Sequence, residues 1–318
     1  MFLEKAFTSQ NQFWKYIVGT FIVIIASSIG QVPLMLAVMM ELNDQGKNMF
    51  ELDESSLMTV LEPNTTLFLM MLSFAVALLG LVLILKLFHK QQLKDITTSR
   101  PKIDWSRVGF AFGIWAVFQI VMTFINYYTS PEDFVWNFKL EPFLILLAVG
   151  TIMIPIQTST EEYFFRGYLM QGFGLIARNR WLPLIMTSVI FGGLHYFNPE
   201  VVKMGPIIMI YYIGTGLFLG IITLMDDGLE LALGFHAANN LITALLVTSE
   251  WTAFQTHSVL KDVSEPSAGY EIIMPVLVIF PVLVFIFAKK YGWNNWKQKL
   301  TGIISEPNSE AIEFIQND

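Results

Sequence analysis

The sequence predicts an all-α, polytopic transmembrane bundle of about eight helices, and three observations predict it. Apolar residues make up 54% of the 318-residue chain and charged residues 14%, against roughly 25% charged in soluble domains. Eight apolar runs are long enough for a hydrocarbon core, which takes about 20 residues of helix. Lysine and arginine are shared unequally between alternate connections of these runs, the pattern of a multi-pass protein. The mean hydropathy, +0.56, agrees.

The runs cover roughly 16–40, 65–85, 108–128, 142–160, 182–198, 205–225, 229–248 and 271–288. The first is long enough to stay as a span. Met1–Lys15 lacks the short apolar core and small-residue cleavage site of a removable signal peptide. The connection 41–66 holds six acids and one lysine, and a short external helix is expected around 51–61. The fourth run continues into a charged stretch, and 142–177 is too long for one straight span. A kink, tilt or break is expected there, with Pro155 as the candidate cause. The tail from Thr301 to Asp318 is polar. Three parts result: 1–140, helices one to three with the acidic external loop; 141–250, the core; and 251–318, the last helix and a tail.

Fourteen of the nineteen Lys and Arg residues fall in the two terminal segments and the second, fourth and sixth connections. Four, Lys47, Lys139, Lys203 and Lys261, fall in the opposite set. The positive-inside rule then places both termini in the cytoplasm of a multi-pass inner (plasma) membrane protein. Asp226, Asp227 and Glu230 run against this assignment, but acidic residues weigh little in it. The chain has no cysteine, which excludes disulfides, zinc knuckles and thiol catalysis. No basic patch alternates with exposed aromatics, so nucleic acid is excluded as a partner.

Ionisable groups within spans are costly and by default functional. Here they are Glu161, Glu162 and Arg166; His195; and His236 with the amide Asn240. Glu162 and Arg166 are four apart, the spacing of a helical ion pair, and read as structural. Glu161 points about 100° away on a helix and lacks a basic partner at that spacing, so it is the better general base. His236 and Asn240 share a face and can offer two N–H groups to one oxyanion. His195 can orient a water or shuttle a proton, with Phe191 packed one turn before it. His89, near lysines, and His257, in a loop, read as solvated.

These residues resemble the CAAX protease and bacteriocin-processing (CPBP, or Abi) family of intramembrane proteases. Glu-Glu-x-x-x-Arg is present as Glu161, Glu162 and Arg166, followed by Gly167 and Leu169. Phe-x-x-x-His is Phe191 and His195. His-x-x-x-Asn is His236 and Asn240, preceded by a glycine-rich helix with Gly214, Gly216 and Gly220. The resemblance covers roughly 142–248 and implies a helix bundle with a conical internal cavity. It further implies that Glu161 activates water with help from His195, that His236 and Asn240 form the oxyanion hole, and that Glu162 and Arg166 support the site. The implied substrate is a membrane-associated or lipidated peptide or protein. One departure is Gly228 to Leu231, where many members read Gly-Ser-Leu-Trp. The depths of these helices let the set converge between the cytoplasmic face and the midplane.

Plainer readings exist for each part. Two glutamates at a helix end can be an interfacial charge cluster, a lone histidine a packing residue, Asn240 interhelical glue, and Gly216-x-x-x-Gly220 close packing. Trp14, Trp181 and Trp293 read as interface anchors. Glu161, His195 and His236 also have the ligand types of a catalytic zinc site. No His-Glu-x-x-His spacing is present, however, and a glutamate mechanism without a cofactor is favoured. The alternative to an enzyme is a membrane scaffold, bacteriocin-immunity factor or accessory subunit that retains the fold. A transporter is more distant, because no internal repeat is visible.

Overall fold

A computed structural model describes residues 2–7, 12–47, 59–266 and 269–306. All eight apolar runs are helical. The long helices are α1 (Phe13–Asp44), α2 (Pro63–Ile84), α3 (Trp105–Thr129) and α4 (Leu140–Glu162). A π-helical turn, Tyr163–Leu169, joins α4 to α5 (Met170–Ala177). Next come α6 (Trp181–Leu194), the short α7 (Pro199–Met204), α8 (Met209–Asp226) and α9 (Glu230–Leu246). The last apolar run is α10 (Tyr270–Met274) continued through a π turn into α11 (Phe280–Tyr291), followed by α12 (Trp296–Thr301). The chain is an all-α, multi-pass membrane protein in which, among the described residues, six helices are long and apolar enough to cross a bilayer. The other two runs differ in kind. The Trp181–Phe197 helix is shorter, and α9 is 17 residues long and mostly buried within the bundle.

Local chemistry sets the helix starts. Glu62 caps α2 by accepting from the Thr65 N–H, with Pro63 in the first turn. Asp104 caps α3 through the Ser106 N–H. Close crossings use glycine. A Cβ on Gly216 of α8 would lie 2.8 Å from the Ser188 carbonyl of α6, and one on Gly234 would overlap the Val108 carbonyl of α3. The Gly216-x-x-x-Gly220 reading as close packing is thus what the structure shows.

The two ends of the bundle are built differently. At one end, residues 2–7, 95–100, 171–180, 226–230 and 293–306 interlock: Leu229 donates to the Thr97 carbonyl, Arg180 to Gly302, and Ile304 to Arg178. This is the end that carries the basic connections. The other end carries a small sheet of order β1-β3-β2, with β1 (Phe134–Trp136) antiparallel and β2 (Val247–Thr248) parallel to β3 (Leu260–Asp262).

Several expectations change here. Pro155 lies inside α4, and the helical run changes its hydrogen bonding only after the glutamate pair. Asp226 and Glu230 are buried acceptors for Arg100, and Asp226 also pairs with Arg107. The acidic residues that ran against the charge rule therefore neutralise two of the arginines on the same end. His89 is buried rather than solvated, with Nε2 3.1 Å from the Tyr168 hydroxyl and its ring against Tyr16. His257 lies 2.8 Å from Glu62. Trp14 and Trp181 are exposed, whereas the Trp293 indole donates to Asp226. The short helix expected around 51–61 falls mainly outside the described residues.

Candidate active site

Glu161 and Glu162 end α4, and the π turn that follows carries Arg166. A π turn closes i→i+5 rather than i→i+4 hydrogen bonds and is common at functional sites. Both members of the Glu162–Arg166 pair are fully buried, with Nη1 3.0 Å from Oε1. Arg166 Nη2 also donates to the Gly216 carbonyl at 3.3 Å. Its guanidinium lies over the Phe191 ring, 4.1 Å from the centroid. The four-residue spacing brings the two side chains together as an ion pair.

The same Glu162 oxygen receives a second bond, from His236 Nδ1 at 2.7 Å. A carboxylate only accepts, so Nδ1 carries the proton. The opposite nitrogen, Nε2, faces Glu161 Oε2 at 3.5 Å. His236 is thus held from behind by one glutamate of the pair while it faces the other. Sequence spacing gave Glu162 one partner; the structure gives it two.

Asn240, one turn after His236, is fixed from both sides. Its Nδ2 donates to Gln157 Oε1 at 3.0 Å, and its Oδ1 accepts from Asn239 Nδ2 at 3.1 Å. Asn239 is held in turn by the Trp115 indole N–H at 3.0 Å, and its carbonyl by Gln119. Of the two protons on Asn240 Nδ2, one remains for another acceptor. His195 donates from Nδ1 to the Phe191 carbonyl at 2.8 Å, which leaves Nε2 as an acceptor. Its ring lies between Phe191 and Tyr212, at centroid distances of 4.8 and 4.6 Å.

Glu161, His195, His236 and Asn240 line one cavity of about 800 Å³, together with Phe191 and Gln157. The structure brings the predicted residues of three separate helices to one space. Glu162 and Arg166 stand behind its wall. Among the described residues no group of three or more His, Asp or Glu side chains is placed to hold a metal ion.

Comparison with known proteins points to the same part of the chain. Residues 140–242 match the family described as type II CAAX prenyl endopeptidase Rce1-like. This stretch is similar to an Rce1-like CAAX-protease domain. Its limits fall within a few residues of the motif-bearing stretch 142–248. The chain is also 27% identical over 286 residues to a Bacillus subtilis (strain 168) protein described as uncharacterized protein YyaK, covering 88% of this chain and 94% of that one. No solved structure matches.

Three residues that hold this candidate site were missed in the sequence. Gln157 lies one turn before Glu161, and an amide in an apolar run was the available signal. Trp115 and Gln119 belong to α3, outside the matched segment, and nothing in their spacing points to Asn239.

Proposed function

We propose that the chain is an intramembrane endopeptidase that hydrolyses a peptide bond of a membrane-associated peptide or protein. The observation that supports this reading most is His236, tied to Glu162 at 2.7 Å while its other nitrogen faces Glu161 at 3.5 Å in the cavity wall. In the reaction, Glu161 takes a proton from water, and the hydroxyl attacks the scissile carbonyl carbon. The free amide proton of Asn240 and Nε2–H of His236 stabilise the oxyanion. Glu161 then passes its proton to the leaving nitrogen as the C–N bond breaks. His195, with Nε2 as acceptor, orients the water.

His236 donates from Nε2 only as an imidazolium. In that state its charge and that of Arg166 balance Glu161 and Glu162, which suits a site removed from water. This mechanism uses no metal. The same reading puts both termini in the cytoplasm, on the strength of the basic connections.

The test uses purified protein in vesicles, a library of membrane peptides, and mass spectrometry of new termini. The native protein is expected to create new termini, whereas Glu161→Gln and His236→Ala lose at least about a hundredfold in rate while eluting as folded protein. Native-rate cleavage by Glu161→Gln sinks the mechanism. No cleavage by any form favours the scaffold or accessory reading.

A further inference from the structure

The cavity has a direction. Its floor is formed by Glu161, Phe191 and His236, while Asn198 and Thr252, on connections, and Glu200, on the short α7, line it at the sheet-bearing end. These mouth residues are tied together: the Ala253 N–H donates to Glu200 Oε1 at 2.9 Å. The opposite end is closed. Phe2 and Leu3 are wholly buried there, the Phe2 carbonyl is an acceptor for Gln171, and Arg100 and Arg107 bind Asp226. His236 stands six residues into α9 from this closed end, about 9 Å along the helix.

The closed end is the one with fourteen of the nineteen basic residues by sequence, which the charge rule assigns to the cytoplasm. The cavity therefore opens on the other side. Among the described residues its lining holds aromatic rings and the carboxylates Glu161, Glu200 and Asp262, and no lysine or arginine. The His236 imidazolium that the mechanism places there is already matched by Glu161 and Glu162, so a free C-terminal carboxylate finds no unmatched cation among these residues.

We infer that the substrate enters from the non-cytoplasmic face, as a peptide segment already exported by a translocation step, and is held through apolar side chains and backbone rather than by a terminal carboxylate. The substrate half of this inference rests on the peptidase reading; the direction rests on geometry and charge.

The absence of cysteine makes the test direct. Thr252→Cys and Thr243→Cys at the cavity, and Asn294→Cys at the closed end, are each exposed in intact cells to a membrane-impermeant maleimide. The expected result is labelling of Thr252→Cys and Thr243→Cys in intact cells, and of Asn294→Cys only after permeabilisation. Modified Thr252→Cys with a bulky adduct is further expected to lose cleavage at least tenfold. The reverse labelling pattern overturns the inference, as does failure of both cavity positions to label under either condition. So does unchanged cleavage after full modification of Thr252→Cys. A preference for peptides ending in a free carboxylate over their amides in the vesicle assay overturns the binding mode. Labelling reads access alone, so outside labelling with an inactive native protein refutes the peptidase reading and leaves the direction standing.

Discussion

Arg166→Met is the perturbation that best separates the two duties of the buried charge cluster. It removes the 3.0 Å bond to Glu162, the bond to the Gly216 carbonyl and the cation seated on Phe191. Glu162 is then a buried carboxylate with His236 as its remaining partner. Breaking one side of a buried pair costs about 3–5 kcal/mol, or roughly two to three and a half powers of ten in the folded-to-unfolded ratio. Unfolding of the purified variant by a denaturing detergent measures this. The double variant Glu162→Gln/Arg166→Met removes both charges, and such replacements are often close to neutral, so it is expected to recover to within about 1.5 kcal/mol. Cleavage is not expected to recover, because the charge that holds His236 Nδ1 is gone. A single variant within about 1 kcal/mol of the native protein refutes the argument, as does full activity in the double variant.

Two further outcomes follow from named contacts. Burial pushes the Glu200 carboxyl above the ordinary carboxylate range, against the opposing pull of the Ala253 N–H. A raised folded-state value means a stability contribution present at low pH and lost as pH rises through that value. Glu200→Gln is thus expected to exceed the native protein in stability at pH 8, and unfolding midpoints measured down to pH 4 should show the gap closing; a gap that widens on acidification refutes the sign. Gln157→Leu removes the acceptor that fixes Asn240 and is expected to slow cleavage about tenfold with little change in KM, which steady-state kinetics on one peptide can check.

Most of the helix positions were legible because lipid leaves few choices. A run of apolar residues such as 65–85 must satisfy its backbone internally, so it reads as helix without knowledge of its neighbours. The site was legible for the converse reason: Glu161, Glu162, Arg166, His195 and His236 stand where charge is costly. What escaped was pairing between helices. That Glu162 serves His236 as well as Arg166 depends on how α4 and α9 cross, which no spacing within either helix records. Trp115 escaped likewise, because an indole in an apolar run looks the same whether it meets lipid or an asparagine. His89 shows the error in the other direction. Its lysine neighbours in sequence suggested water, while its neighbours in space are Tyr16 and Tyr168.

The π turn after Glu162 makes this stretch a phase-locked joint. Its wider turn takes up one more residue than an α-turn does, so the extra residue is absorbed locally and the phase of the helix beyond is kept. Adding a further residue there would exceed what the wide turn absorbs and swing α5 by about 100° relative to α4. Arg166 would leave Glu162, and the buried contacts of Tyr168 and Gln171 at the basic end would be lost with it. Substitutions in this joint are therefore negotiable, but its residue count is not. A single-residue insertion between Tyr163 and Leu169 should be less tolerable than the loss of any one side chain within it.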